Sequence, residues 1–286
     1  MKKLLMILSV LLVSACAPAE RADDGKVTVY TSFYAMYDFT KQLAGDTAAV
    51  ENLVPVGVEP HDWEPSPEDI VKLEQADVFV YSGKGMESWC EQVLGTLENQ
   101  DLIVVEAAKD VPELTADGAV DPHVWLDPAN ARIQMEAIAD ALVQADPANE
   151  AAYRERLAGC TAQLEQLDAA YREQLAACPR KDIIVSHAAY GYLCNAYGLQ
   201  QTAIEGLAAD SDASPARLAE IVDLIRANDI HYIFFEELVQ SKAVDTLIQE
   251  TGVEALALSP FEGDAEGRGY FTVMEENLEN LVTALQ

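Results

Sequence analysis

The longest helical pattern in the chain covers residues 149–177, NEAAYRERLAGCTAQLEQLDAAYREQLAA. Apolar residues recur along it at helical spacing, including Tyr153, Leu157, Leu164, Leu167 and Tyr171. At a rise of about 1.5 Å per residue, this helix would span about 43 Å, which is long for a helix within one globular domain. A helix of this length is suited to joining two lobes.

Short β-rich runs alternate with helical patterns on both sides of this helix. Before it, we predict strands at 27–33, 49–56, 77–82 and 102–106, and helices at 37–44, 67–76 (capped by Ser66) and 86–97. After it, we predict strands at 183–186, 200–203, 231–235 and 253–258, and helices at 190–197, 214–228, 241–251 and 271–285. This alternation is typical of parallel sheets flanked by helices. The predicted fold class is therefore α/β, with two parallel-sheet lobes joined by one long rigid helix.

The N-terminal residues have the pattern of a secretory signal that ends in a lipidation site. Two lysines precede an apolar run over 4–13, which is too short to span a membrane, and Val13-Ser14-Ala15-Cys16 closes the segment. This ending resembles the lipobox of bacterial lipoproteins, so Cys16 is the predicted lipid anchor. An ordinary signal peptide cleaved nearby is the alternative.

These patterns divide the chain into a signal peptide (1–15), a lipidated tether (16–26), an N-terminal α/β lobe (27–147), a linking helix (148–177) and a C-terminal α/β lobe (178–286). We therefore expect an extracytoplasmic protein that is lipid-anchored to the cell membrane, on the cell surface or the periplasmic side.

The chain is strongly acidic, with 49 Asp and Glu against 18 Lys and Arg and a net charge of −31. Nucleic acid is therefore excluded as a partner, because its recognition requires a basic patch. Four cysteines follow Cys16, and none forms a C-x-x-C pair, so zinc-ribbon and thioredoxin-like sites lack support. Cys90, Cys160, Cys178 and Cys194 either form disulfides, whose pairing the sequence leaves open, or stay as buried thiols.

Three of the four histidines lie in turn-like breaks beside apolar runs: His61, His123 and His187. Neutral imidazole is the commonest protein ligand for a borderline metal ion, so the shared setting predicts one metal site assembled from distant loops. A hydrogen-bonded structural role is the alternative for each of them. Signatures such as H-E-x-x-H, G-x-S-x-G and the P-loop are missing, which argues against the common enzyme classes.

Five segments carry a resemblance to a known family: PHDWEPSP (60–67), DPHVWLDP (121–128), SHAAYGYL (186–193), FEE (235–237) and YFTVMEEN (270–277). In this order, behind a lipobox, they resemble the zinc- and manganese-binding lipoproteins of bacterial ABC importers, the cluster A-I solute-binding proteins. The resemblance covers essentially the whole mature chain. It implies a metal site between the two lobes, with His61, His123 and His187 as metal ligands.

The resemblance also implies a function without catalysis. The protein would capture Zn²⁺ as its transported ligand and deliver it to an ABC permease and its ATPase subunit, held at the membrane by its lipid and acting as a monomer. A manganese-specific receptor of the same type is the first alternative. A zinc-dependent hydrolytic enzyme, with Glu236 as general base, and a surface adhesion protein are the others.

The fourth metal ligand is where this sequence departs from the family. Many members carry an aspartate in a Leu-Asp-Pro turn, whereas the matching stretch here is Leu258-Ser259-Pro260. The remaining candidates are Glu262, Asp264, Glu59, Glu64 or water. A histidine as third ligand favours zinc over manganese, since manganese suits oxygen ligands. Against zinc, residues 113–121 are short and lack the histidines that zinc-type members often carry there.

Some neighbouring residues have two interpretations. One of Glu236 and Glu237 is expected to accept an N–H from a ligand imidazole, or else to be a surface carboxylate. Trp63 and Trp125 either shield the metal site or belong to the core. His231 matches no family ligand and is expected to be structural.

Overall fold

The computed structural model describes residues 25–116, 118–207, 213–236, 241–263 and 267–286. The predicted signal peptide, Cys16 and most of the tether lie outside these residues, as do Glu237 and Asp264. In the described ranges no helix is both long enough and apolar enough to cross a membrane.

The N-terminal lobe is built on a four-stranded parallel sheet in the order β2-β1-β3-β4. Its strands are β1 (Val27–Thr31), β2 (Ala48–Asn52), β3 (Val78–Tyr81) and β4 (Ile103–Glu106). The helices between them are α1 (Tyr34–Ala44), α2 (Pro67–Glu74) and α3 (Cys90–Leu94). A two-stranded antiparallel hairpin follows, formed by β5 (Thr115–Ala116) and β6 (Ala119–Val120).

The N-terminus of α2 is fixed by its own sequence, at the end of the loop that carries His61. The Ser66 side chain accepts from the backbone N–H of Asp69, and the Asp69 carboxylate accepts from the backbone N–H of Ser66. Pro67 occupies the first helical turn, where its missing N–H costs nothing. The predicted Ser66 cap is confirmed, and it fixes the end of the loop that carries His61.

Two long helices follow, α4 (Pro128–Ala145) and α5 (Glu150–Ala177). The 28-residue α5 is the predicted linking helix, and its buried side chains repeat at helical spacing: Tyr153, Cys160, Leu164, Leu167, Tyr171 and Leu175. It packs on α4, on α1 and on the last helix, α9 (Tyr270–Leu285). The Tyr171 hydroxyl donates to the carbonyl oxygen of Met274 in α9 at 2.6 Å.

The C-terminal lobe contains two parallel strand pairs that lie side by side. β7 (Asp182–Val185) pairs with β8 (Gln200–Ala203), and β9 (Tyr232–Phe235) pairs with β10 (Glu254–Ala257). β7 and β9 are neighbours. The helices are α6 (Gly191–Tyr197), α7 (Pro215–Ala227) and α8 (Lys242–Thr251). The α/β alternation predicted after the linking helix is therefore present.

Several element bounds differ from the prediction; the strand predicted at 49–56, for example, ends at Asn52. The helix predicted at 86–97 is limited to Cys90–Leu94, because Trp89 turns inward to pack on Phe79 and Gly95 ends the helix. The β5–β6 hairpin was not predicted, since two-residue strands carry no measurable alternation.

In the described ranges Cys90, Cys160, Cys178 and Cys194 are buried and form no disulfide with one another. Burial raises the pKa of the thiols of Cys90, Cys160 and Cys194, so these groups stay protonated and unreactive.

Candidate metal centre

His123 lies at the start of a single helical turn, Val124–Leu126, that leads into α4. The Asp121 carboxylate turns back on this segment: its Oδ1 accepts the backbone N–H of His123 at 3.0 Å and lies 2.8 Å from the imidazole Nδ1. An aspartate that accepts from the backbone two residues onward forms a local turn, which holds its carboxylate beside the imidazole of His123. Both side chains are fully buried.

His187 follows β7 by two residues and is also fully buried. Its Nδ1 lies 2.6 Å from Oε1 of Glu236, the residue directly after β9. The Ser186 hydroxyl donates to the same oxygen. Because β7 and β9 are neighbouring strands, their carboxyl ends bring these residues together. Glu236, one of the two glutamates considered for orienting an imidazole, thus lies next to the His187 ring.

His61 lies on the long loop between β2 and α2, and 9% of its side chain is exposed. Its backbone N–H donates to Oε1 of Glu59 at 3.3 Å. Burial, with a further contribution from the negative charge of Glu262, raises the pKa of Glu59 to about 7. Of the three histidines, His61 is therefore the one nearest to solvent, and a half-buried carboxylate stands beside it.

Glu262 lies on the loop after β10, held in place by contacts from other parts of the chain. The indole N–H of Trp125 donates to the Pro260 carbonyl at 2.7 Å, and the Phe261 ring is fully buried. The Ser259 hydroxyl accepts the Phe261 N–H at 3.2 Å, so the serine found in place of the family aspartate closes this turn. Only 3% of Glu262 is exposed.

Four potential ligand atoms converge at one point, from His61, His123, His187 and Glu262, all within 4.8 Å of one another. The Nε2 atoms of His61 and His187 lie 3.1 and 3.3 Å from Nε2 of His123. Glu262 Oε1 lies 3.0, 3.4 and 3.6 Å from Nε2 of His123, His61 and His187, respectively. A tetrahedral zinc site with bonds of roughly 2.0 to 2.1 Å has ligand–ligand separations of about 3.3 to 3.4 Å. The five distances cluster around that value.

The protonation of the imidazoles shows why a cation belongs at this point. Carboxylates only accept hydrogen bonds, so the Nδ1 atoms of His123 and His187 carry the protons that face Asp121 and Glu236. In the neutral rings, Nε2 then presents a lone pair to Glu262 Oε1, a buried oxygen that has no hydrogen-bond partner within the described part of the chain. Lone pairs at these separations repel each other. A proton or a metal ion between them removes the repulsion.

The pKa values follow from this arrangement. Burial alone would lower the pKa of both buried histidines, but the carboxylates around them outweigh it: the pKa of His123 lies above its ordinary value of 6.5, and that of His187 well above. Burial would raise the pKa of Glu262, and the three imidazoles reverse the shift, so that it lies well below 4.5. In the absence of metal, the surrounding carboxylates therefore favour the protonated form of these two imidazoles.

Of the other residues singled out in the sequence and described by the structure, only Trp125 lies next to a histidine of this centre. The Trp125 ring is fully buried 5.5 Å from the His123 ring, whereas Trp63 packs edge-on against Trp89 in the N-terminal lobe. Glu64 is exposed. The exposed His231 lies beside Asp229, away from the other three histidines.

The sequence analysis did not predict that Asp121 orients the His123 ring. The signal that could have indicated it is a carboxylate two residues before one of the three histidines.

Comparison with known proteins assigns the chain to a family. The family model described as "Zinc-uptake complex component A periplasmic" matches residues 29–284. The zinc-binding lipoprotein AdcA of Streptococcus pneumoniae is 38% identical over 304 residues, covering 98% of this chain and 60% of AdcA. The chain thus spans about three fifths of the length of that relative.

One further protein, and one domain of AdcA itself, are similar to this chain over nearly their full length. The high-affinity zinc uptake system protein ZnuA of Bacillus subtilis is 35% identical over 300 residues, covering 96% of this chain and 94% of that protein. The crystal structure of the Zn(II)-bound ZnuA-like domain of S. pneumoniae AdcA matches with a TM-score of 0.82 and 40% identity, covering 91% of this chain and 99% of that domain. The predicted resemblance and the two-lobed α/β fold are confirmed, and the chain belongs to the family of the zinc-uptake complex component A.

Proposed function

We propose that this protein is the extracytoplasmic metal-binding receptor of an ABC importer, and that it captures Zn²⁺ through His61, His123, His187 and Glu262. The observation that carries the proposal is the convergence of these four donor atoms, with five separations of 3.0 to 3.6 Å, close to those of a tetrahedral zinc site. The similarity to zinc-binding relatives supports the choice of metal. Three imidazoles and one carboxylate suit zinc, whereas manganese prefers sites richer in oxygen.

The location of Glu262 favours a receptor over a hydrolytic enzyme. A catalytic zinc keeps one of its four positions open for water or substrate. Here Glu262 Oε1 lies at the fourth corner, 3.0 to 3.6 Å from the three Nε2 atoms, and the residue is almost completely buried. Glu236, the base that a hydrolase mechanism would need, is already occupied by His187 and Ser186.

The proposal includes partners and location. The receptor delivers zinc to a membrane permease driven by an ATPase subunit, acts as a monomer and is held at the membrane by a lipid on Cys16. We also propose that the chain is divided into an N-terminal lobe (27–147), a linking helix (148–177) and a C-terminal lobe (178–286). The position of α5 between the two sets of parallel strands supports these boundaries.

Zinc should bind much more tightly than manganese. We expect one zinc ion per protein with a nanomolar dissociation constant, or about −12 kcal/mol, and manganese at least about 100-fold weaker. The measurement is titration calorimetry of the chelator-stripped protein with each metal, supplemented by competition with a chromophoric chelator. Manganese binding as tight as zinc binding would leave a receptor but overturn the metal assignment. Binding of neither metal would refute the proposed function.

Zinc stabilisation should increase with pH. The raised pKa values of His123 and His187 mean that the stability they confer on the metal-free protein is complete below about pH 6.5 and is lost as pH rises through their folded-state pKa values. Zinc must displace these protons, so its affinity falls as the solution becomes more acidic. We therefore expect saturating zinc to raise the melting temperature more at pH 8 than at pH 6. An equal or larger increase at pH 6 in scanning calorimetry would contradict this account.

A further inference from the structure

Gly191, the first residue of α6, lies directly against Asp121 of the other lobe. A Cβ atom on Gly191 would stand 2.2 Å from Asp121 Oδ2 and 3.2 Å from a methyl carbon of Leu114. Optimal separations between non-bonded heavy atoms are about 3.5 to 4.0 Å, so no side chain fits there while Asp121 keeps its place. The backbone of Gly191 is outside the left-handed region, so its conformation does not call for glycine. Glycine is needed at this position because any side chain would collide with Asp121.

The carboxylate that fills this space is the one that orients His123. Asp121 Oδ1 engages both the backbone N–H and Nδ1 of His123, whereas Oδ2 is buried and has no hydrogen-bond partner among the residues that the structure describes. Packing against Gly191 is therefore what confines Oδ2. If a methyl group pushed Oδ2 away, the carboxylate would turn and Oδ1 would leave Nδ1.

This contact belongs to an interface between the lobes. The hydroxyl of Tyr192, the residue after Gly191, accepts the Leu114 N–H at 2.9 Å and donates to the Pro112 carbonyl at 3.0 Å. The Asp121 N–H in turn donates to the Leu114 carbonyl at 2.8 Å. The segment that ends in Asp121 is thus attached to α6 at several points. The orientation of His123 in one lobe depends on how closely α6 of the other lobe approaches.

We propose that Gly191 is a positioning residue for the metal centre: its lack of a side chain lets α6 press the Asp121 carboxylate into the orientation that aims His123 Nε2 at the zinc. The proposal rests on the proposed function in taking His123 as a zinc ligand. It makes zinc affinity sensitive to the lobe interface at a residue that contacts neither the metal nor a ligand side chain.

The test is Gly191→Ala, with Gly159→Ala as its matched control. A Cβ on Gly159, in the middle of α5, would meet nothing within 4 Å. We expect Gly191→Ala to lower zinc affinity by about 10- to 100-fold, the usual effect of disturbing a partner of a ligand histidine. Gly159→Ala should leave zinc affinity unchanged. The absorption spectrum of bound Co²⁺, which reports ligand geometry, should change only for Gly191→Ala.

A double-mutant cycle separates positioning from a general loss of structure. In an Asp121→Ala background the methyl group of Gly191→Ala has room, so adding it should cost no further zinc affinity. The proposal would be overturned by an equal loss in both backgrounds, or by wild-type affinity in Gly191→Ala.

One readout does not depend on metal at all. In the metal-free protein, the ¹H–¹⁵N signal of the His123 Nδ1–H should move in Gly191→Ala and stay in place in Gly159→Ala. An unmoved signal in Gly191→Ala refutes the positioning role. A wild type that binds no zinc refutes the proposed function instead, so the two failures are distinguishable.

Discussion

Replacing His123 by alanine should weaken zinc binding by about 1,000-fold, which corresponds to about 4 kcal/mol. The residue supplies one of four donor atoms, and a complete zinc shell of this kind contributes about 10 to 16 kcal/mol. The substitution also leaves the buried carboxylates of Asp121 and Glu262 without the imidazole that both face. Removing one member of a buried ionic group typically costs about 3 to 5 kcal/mol, so the metal-free variant should also unfold more easily. Chelator competition and urea denaturation measure the two effects.

The matched control is His231→Ala. That imidazole is 64% exposed, and its Nε2 lies 3.5 Å from the Asp229 carboxylate. Its removal should change neither zinc affinity nor the free energy of unfolding beyond about 0.5 kcal/mol. Zinc binding by His123→Ala at wild-type strength would show that the four-residue centre is not the binding site.

Replacing Glu262 by glutamine should lower zinc affinity by about 100-fold, or about 2.7 kcal/mol, at pH 8. The amide keeps the shape but removes the negative charge of the only carboxylate among the four donor residues. The loss should be smaller at pH 6. Glu262 helps to raise the pKa of His123 and His187, so without its charge protons compete with zinc only at lower pH. Zinc titrations of both proteins at the two pH values test this.

Glu64→Gln is the control for that experiment, since Glu64 is an exposed carboxylate on the His61 loop. Its removal tests whether loss of one negative charge near the site is sufficient to weaken zinc binding. We expect wild-type affinity at both pH values, because exposed charges are screened by solvent and salt. Equal losses in Glu262→Gln and Glu64→Gln would mean that the effect is long-range electrostatics and that Glu262 is not a ligand.

Much of the fold could be predicted because its signals are local. The buried side chains of α5 repeat at the spacing that the sequence shows, and Ser66 and Pro67 mark the start of α2 by themselves. The helix at 86–97 was overpredicted because packing of Trp89, a tertiary effect, shortens it. Propensity describes a segment in isolation, and packing decides its ends.

The same division applies to the metal centre. The α/β class, the long linking helix, the family resemblance and the three candidate histidines could be predicted from the sequence, since each follows from periodicity or from a short motif. Only the tertiary structure brings Glu262, one of the candidate fourth ligands, next to these histidines, and only there does Gly191 meet Asp121. Trp125 holds the Glu262 loop from a position 135 residues away in the chain. Contacts between residues so far apart in the chain depend on how the two lobes pack, and no local sequence pattern shows which of them meet.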